Sequence, residues 1–240
     1  MDRRLWAPLF AEAIGTFLFF FIGAGSIVVM DYQAAGGGAG AGLLGVAFAH
    51  GIVLAVLVSA FGAISGGHFN PAVTFGVWIA GRIEGRRATW YVVAQLVGSV
   101  VAGLALRVVF PEEVWTASNL GTPALGAGIG TVTGIVVETI LTLVLLFAVF
   151  GTAVDPRAPR IGGLAIGLAI AADILMGGPL TGAAMNPARW FGPAVASGHL
   201  DNAIVWIVGP LLGAAIAAAC YRWLLAEEAD LARTPGTPEP

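Results

Sequence analysis

Six apolar stretches long enough to cross a bilayer, and two half-length ones that each open on Asn-Pro-Ala, predict an all-α membrane protein. The expected architecture is six transmembrane helices plus two re-entrant half-helices, arranged as an inverted repeat. Composition agrees. Of the 240 residues, 58% are hydrophobic and 10% charged, whereas a soluble domain carries about 25% charged residues; mean hydropathy is +0.90. The third observation is a doubled irregularity: Asn70-Pro71-Ala72 and Asn186-Pro187-Ala188 lie 116 residues apart, each behind a Gly-containing approach. Asn, Pro and Gly suit the middle of a membrane helix poorly. Irregular backbone at membrane depth survives only where protein buries it or where it lines a watery cavity. The pair therefore points to a conduction path.

A span takes about 20 largely apolar residues, and the runs that qualify are 6–30, 43–63, 89–110, 132–153, 160–177 and 203–225. The first follows Arg3-Arg4 as the core of a signal peptide would, but it is too long and has no clear small-residue cleavage site. The stretches 71–80 and 187–196 are about half as long. Each starts with Pro directly after Asn, an N-cap followed by Pro in the first helical turn, so each reads as a half-helix that enters the membrane and stops. The chain is read as one domain, 1–240, with repeat 1 at about 6–110, repeat 2 at about 132–225 and a cytoplasmic tail at 226–240.

Arginines orient the spans. Arg3 and Arg4, then Arg82, Arg86 and Arg87, then Arg157 and Arg160, then Arg222 and Arg233 fall at the N-terminus, in alternate loops and at the C-terminus. The other loops carry Asp31, Glu112, Glu113 and Asp201, with Arg107 the exception. The positive-inside rule then places both termini in the cytoplasm. Three spans per half, an odd number, invert the second half, so the half-helices enter from opposite faces and meet near the midplane. Glu12 with Thr16 in the first span matches Glu138 with Thr142 in the fourth. Gly98 in the third span, and Gly209 and Gly213 in the sixth, offer small residues for close helix contact.

Several function classes drop out. Net charge −3 and the lack of a basic tract argue against nucleic acid as a partner. The single Cys220 cannot form an intramolecular disulfide or a multi-cysteine metal site, and neither a cofactor nor a metal is expected. No Ser/His pair or His-Glu-x-x-His motif suggests a hydrolase, so the chain is not read as an enzyme. An ion-coupled secondary transporter shares inverted repeats and broken helices, but it should cluster its intramembrane carboxylates. Glu12, Glu138 and Asp173 are few and dispersed.

The Asn-Pro-Ala turns carry chemistry of their own. A half-helix leaves free N–H groups and partial positive charge at its N-terminus. Two such ends meeting at the midplane, with the asparagine amides added, orient a passing water and repel a cation. Arg189 lies within a turn of the second half-helix's start and projects into the path; a charge at that depth is a functional candidate by default.

These segments resemble the major intrinsic protein family, the aquaporins and aquaglyceroporins. The matching residues are Ser65-Gly66-Gly67-His68-Phe69-Asn70-Pro71-Ala72-Val73-Thr74 and Gly178-Pro179-Leu180-Thr181-Gly182-Ala183-Ala184-Met185-Asn186-Pro187-Ala188-Arg189, with Ala94-Gln95 and Val208-Gly209-Pro210 outside them. The resemblance covers essentially the whole chain. It implies a selectivity filter made of Arg189 and of the residues twenty before the first Asn, twelve before the second and three before the second, which are His50, Ile174 and Ala183. It also implies that carbonyls near Gly66, Gly67, His68, Gly182, Ala183 and Ala184 form an acceptor ladder, that Glu12 and Glu138 hold the loops, and that the chain assembles as a homotetramer in the lipid bilayer; the expected location is the cell (inner) membrane.

The His/Ile/Ala/Arg set resembles the plant vacuolar-membrane type, associated with water plus ammonia, urea or hydrogen peroxide. The implied function is passive passage of water and small neutral solutes, excluding protons and ions; the alternative is a glycerol or small-polyol facilitator. Signals at the edges are mixed. Trp190 stands where water channels usually have serine and glycerol channels aspartate, Ala194 is the water-type residue, and Ile207 replaces a usual tryptophan. Asp173, beside Ile174, has no role in this reading.

Overall fold

A computed structural model of the chain describes residues 3–157, 159 and 161–225. Arg160, Arg233, the tail expected at 226–240, and the side chains of Arg3 and Arg4 lie outside the described residues. The helices are α1 (Arg3–Ala35), α2 (Gly42–Ser65), α3 (Pro71–Ile79), α4 (Gly85–Val109), α5 (Glu112–Ala117), α6 (Thr131–Val149), α7 (Gly162–Thr181), α8 (Pro187–Ser197) and α9 (Ala203–Cys220). Single π turns, Phe150–Val154 and Tyr221–Leu225, extend α6 and α9. Six of these, α1, α2, α4, α6, α7 and α9, are long and apolar enough to cross a membrane. At 9 and 11 residues, and about 1.5 Å of rise each, α3 and α8 reach only about half of a roughly 30 Å hydrocarbon core.

The chain's chemistry sets these boundaries. Pro71 and Pro187 open α3 and α8 because a first-turn residue needs no N–H partner. Both α2 and α7 close on a glycine in the left-handed region, Gly66 at φ 94° and Gly182 at φ 78°. Their N–H groups return to Gly62 O (2.9 Å) and Gly178 O (3.0 Å), as a glycine C-cap requires. The fifth span runs past the Gly177-Gly178-Pro179 stretch that ends it on paper. Pro179 removes one helical bond, and neighbouring helices tolerate that loss at membrane depth.

Packing follows the duplication. Helix α1 packs on α4 as α6 packs on α9, α1 on α2 as α6 on α7, and α2 and α7 meet between the halves. Each half-helix leans on the third span of the other half, α3 on α9 and α8 on α4. Small residues permit these crossings. A methyl group on Gly98 would collide with the Ala13 carbonyl, and one on Gly213 with the Thr139 carbonyl. Gly51 and Gly167 face each other with their backbones in contact across α2 and α7.

The linker between the halves is more ordered than a loop. It contains α5 and a 3-10 turn at Asn119–Gly121, whose Leu120 is fully buried beside Ala24, Leu106 and Ala196. Arg107, the exception in the arginine pattern, donates to Ala196 O (2.9 Å) and lies 4.5 Å over the Trp115 ring. On the opposite face, Arg157 holds the Asp155 carboxylate at 2.7 Å and keeps its pKa down at about 2. That ion pair stays intact across physiological pH.

Candidate functional site

The approaches to the two asparagines share one backbone path. Gly66 and Gly182, Gly67 and Ala183, and Phe69 and Met185 all have positive φ, from 45° to 94°. For Phe69, Ala183 and Met185 this region is unfavourable, so surrounding bonds must hold it. Buried carboxylates supply them. Glu12 accepts at Oε1 from Ser65 Oγ (2.6 Å) and His68 N (3.0 Å), and at Oε2 from Phe69 N (2.7 Å) and Gln95 Nε2 (2.8 Å). Glu138 accepts at Oε1 from Thr181 Oγ1 (2.6 Å) and Ala184 N (2.9 Å), and at Oε2 from Met185 N (2.7 Å). The same two hydroxyls accept from Gly67 N (3.1 Å) and Ala183 N (3.2 Å).

The half-helix tips are joined crosswise. Asn70 Oδ1 caps its own helix, accepting from Ala72 N (2.8 Å), while its Nδ2 donates to Met185 O (2.9 Å). Asn186 Oδ1 accepts from Ala188 N (3.0 Å), and its Nδ2 donates to Phe69 O (3.0 Å). An amide NH2 has two hydrogens, so each asparagine keeps one N–H beyond this tie.

On one side of that junction a cavity of about 330 Å³ runs to a mouth at Arg82 and Arg87. One wall is polar, formed by Ser65, Gly66, Gly67, His68 and Asn70; the other is apolar, with Leu54, Val58, Leu145, Ile166 and Ile170. His68 Nδ1 lies 3.1 Å from Thr74 Oγ1, which donates to Asn70 O (3.0 Å) and accepts from Gln95 Nε2 (2.9 Å). With the hydroxyl proton so engaged, His68 Nδ1 carries the hydrogen.

On the other side stand the four residues spaced for a filter, each 3% exposed. Arg189 Nε donates to His50 Nε2 (3.2 Å), while His50 Nδ1 faces Val46 O at 2.9 Å. This pairing leaves His50 one proton, on Nδ1. The His50 ring meets Phe19 edge-on at 6.1 Å and occupies the space that a side chain on Gly23 would take. Arg189 Nη1 has no hydrogen-bond partner among the described residues. Ile174 and Ala183 flank a glycine pair: a methyl on Gly178 would lie 3.7 Å from Ile174, and one on Gly177 3.3 Å from Ala183.

Several contributors went unremarked in the sequence. Tyr91 OH on α4 donates to Ser65 O (2.9 Å), and Trp206 Nε1 on α9 donates to Thr181 O (3.0 Å), so each loop is braced by the third span of its own half. Trp190 stacks on Trp206 at 6.0 Å. Ser99 donates to Ala188 O and ties α4 to α8. The signal for Ser65 and Thr181 was positional, since each hydroxyl stands five residues before its Asn. Asp173 is buried with Oδ2 unpartnered among the described residues.

A family model for the major intrinsic protein matches residues 2–221. The chain is a member of the major intrinsic protein family. Among its relatives are Aquaporin TIP4-4 of Zea mays, 47% identical over 92% of this chain and 87% of that protein, and Probable aquaporin TIP3-2 of Arabidopsis thaliana, 43% identical over 90% and 82%. The fold matches the X-ray structure of the aquaglyceroporin from Plasmodium falciparum, with TM-score 0.81 over 95% of this chain and all of that one, at 22% identity. Six spans and two half-helices make this major intrinsic protein an integral, multi-pass membrane protein.

Proposed function

We propose that this chain is a passive channel for water that also admits small neutral solutes such as ammonia, urea and hydrogen peroxide. The observation that carries the reading is the reciprocal tie between the half-helix tips, Asn70 to Met185 O and Asn186 to Phe69 O. It sets two helix N-termini, each worth about half a positive charge, head to head beside two amides that each retain a donor. A water there accepts from the asparagines and points its hydrogens away on both sides, which interrupts proton relay. Cations meet two positive helix ends. The loops at Gly66, Gly67 and His68, and at Gly182, Ala183 and Ala184, supply acceptors along the file, with Glu12 and Glu138 holding them.

Arg189, His50, Ile174 and Ala183 form the filter in this proposal. The unpartnered Arg189 Nη1 supports it by offering a donor at a buried site. Ile174 and Ala183 contribute no aromatic corner for a polyol carbon chain, so glycerol passes weakly. Residues 6–110 and 132–225 act as two repeats of one channel unit, supported by the matched packing of α1 on α4 and α6 on α9. We assign both termini to the cytoplasm on the arginine pattern, place the channel in the cell membrane, and assign a homotetramer on the likeness to the family. The chain is a channel and not an enzyme.

Stopped-flow light scattering on proteoliposomes in sucrose, urea and glycerol gradients tests this. Linear, osmotically driven flux is expected, with water fastest, urea measurable and glycerol slow. Saturable flux that depends on an ion gradient would instead support a coupled transporter.

A further inference from the structure

A groove of about 760 Å³ lies on the surface between α1 and α4, outside the conduction path. Trp6, Phe10 and Ala13 form one wall and Trp90, Val93 and Val97 the other; each triplet follows the spacing that places residues on one helix face. The side chains are turned outward: Trp6 is 49% exposed, Phe10 71% and Trp90 50%. The groove ends where α1 and α4 close up at Ala13 and Gly98. Both tryptophans sit near helix starts, and α1 and α4 start on the same side, because α2 returns the chain and α3 does not cross. Indoles at that level mark a membrane–water interface.

One turn before Trp90, on the same stripe, stands Arg86, which is exposed. Among the described side chains, the other arginines of this face are engaged: Arg82 with Tyr221 OH, Arg87 with Tyr91 OH, Arg222 with Ile79 O and Arg157 with Asp155. Arg86 makes no hydrogen bond or ion pair among the described residues. An uncommitted cation above an apolar slot, at the depth of the headgroups, is complementary to an amphiphile with an anionic head.

We propose that this groove is a binding site for an anionic phospholipid, its acyl chain lying between α1 and α4 and its phosphate on Arg86, with the Trp6 and Trp90 indoles at the glycerol level. The fold does not need Arg86 for packing; a membrane leaflet rich in anionic lipid gives it a partner, worth about 1 kcal/mol per arginine near the surface. That corresponds to about a fivefold change in affinity.

Native mass spectrometry of the full-length protein in mild detergent, titrated with phosphatidylglycerol and with phosphatidylcholine of the same chains, reads this directly. The parent should retain phosphatidylglycerol several-fold more tightly than phosphatidylcholine. Arg86→Gln should reduce that preference about fivefold, Trp90→Leu should weaken both lipids, and Arg157→Gln, a cation of the same face in the α6–α7 loop, should leave the preference intact. Equal losses for Arg86→Gln and Arg157→Gln, or no headgroup preference in the parent, would overturn the site. So would efficient disulfide cross-linking between copies of Val97→Cys, which would show that a second copy of the chain covers the groove.

Discussion

Replacing Glu138 by Gln changes one atom of a group that is fully buried and accepts three hydrogen bonds. The amide oxygen, placed where Oε1 was, keeps Thr181 Oγ1 and the Ala184 N–H. The new NH2 then faces the Met185 N–H, donor against donor. One backbone N–H is orphaned, at a cost of about 1–3 kcal/mol, and the two surviving bonds lose their charged acceptor, so the total is roughly 2–4 kcal/mol. For a chain of this size that is a fall in Tm of roughly 5–15 °C. Glu138→Ala orphans two N–H groups and a hydroxyl together, roughly 3–9 kcal/mol, which approaches the whole stability of a typical protein. Both effects should act on the loop at Ala183–Met185, where Ala183 and Met185 have positive φ and the N–H groups of Ala184 and Met185 donate to the carboxylate. Tryptophan-fluorescence melting in detergent, paired with water permeability of the same preparation, gives the readout. Glu113→Gln, on the outer linker, serves as control. A Glu138→Gln protein that melts and conducts like the parent would show that the carboxylate does not hold the loop.

Ile174→His adds a polar ring at a position proposed for the filter and should lower urea and ammonia flux more than water flux in stopped-flow assays; unchanged solute ratios would remove Ile174 from the filter. Arg189→Val removes the buried guanidinium that meets His50 and should admit larger neutral solutes such as glycerol at several times the parent rate. Mercurials should leave water flux unchanged, because Ala183, without a thiol, stands at the position proposed for the filter and Cys220 sits at the end of α9; inhibition abolished by Cys220→Ser would place that thiol on the path.

What the sequence disclosed was local chemistry. Asn followed by Pro announces a capped helix start wherever it occurs, so the starts of α3 and α8 and the roles of Asn70 and Asn186 as caps were legible. Glu12 and Glu138 stood out because a carboxylate in an apolar span must find donors. Other features were hidden for physical reasons. Ser65 and Thr181 are unremarkable residue types; beyond their matched spacing from the asparagines, their bonds to the carboxylates single them out. Tyr91 and Trp206 do the same job with different side chains, so at this position the repeat does not show in residue identity. Gly23 makes room for His50 across helices that are separate in the sequence. The end of α7 was obscured by Gly177-Gly178-Pro179, a stop signal in water that surrounding helices override. The ordered linker with α5 and the buried Leu120 reads as loop because its stability comes from contacts with α1, α4 and α8.

The central claim is that the opposed tips at Asn70 and Asn186 pass water and stop protons. Proteoliposomes carrying an internal pH dye and an imposed pH gradient, subjected to osmotic shrinkage in the stopped-flow cell, measure both at once. The account predicts shrinkage many times faster than in empty vesicles, with the pH gradient decaying no faster than in those vesicles. Collapse of the gradient in proportion to the amount of protein, alongside the water flux, would contradict it.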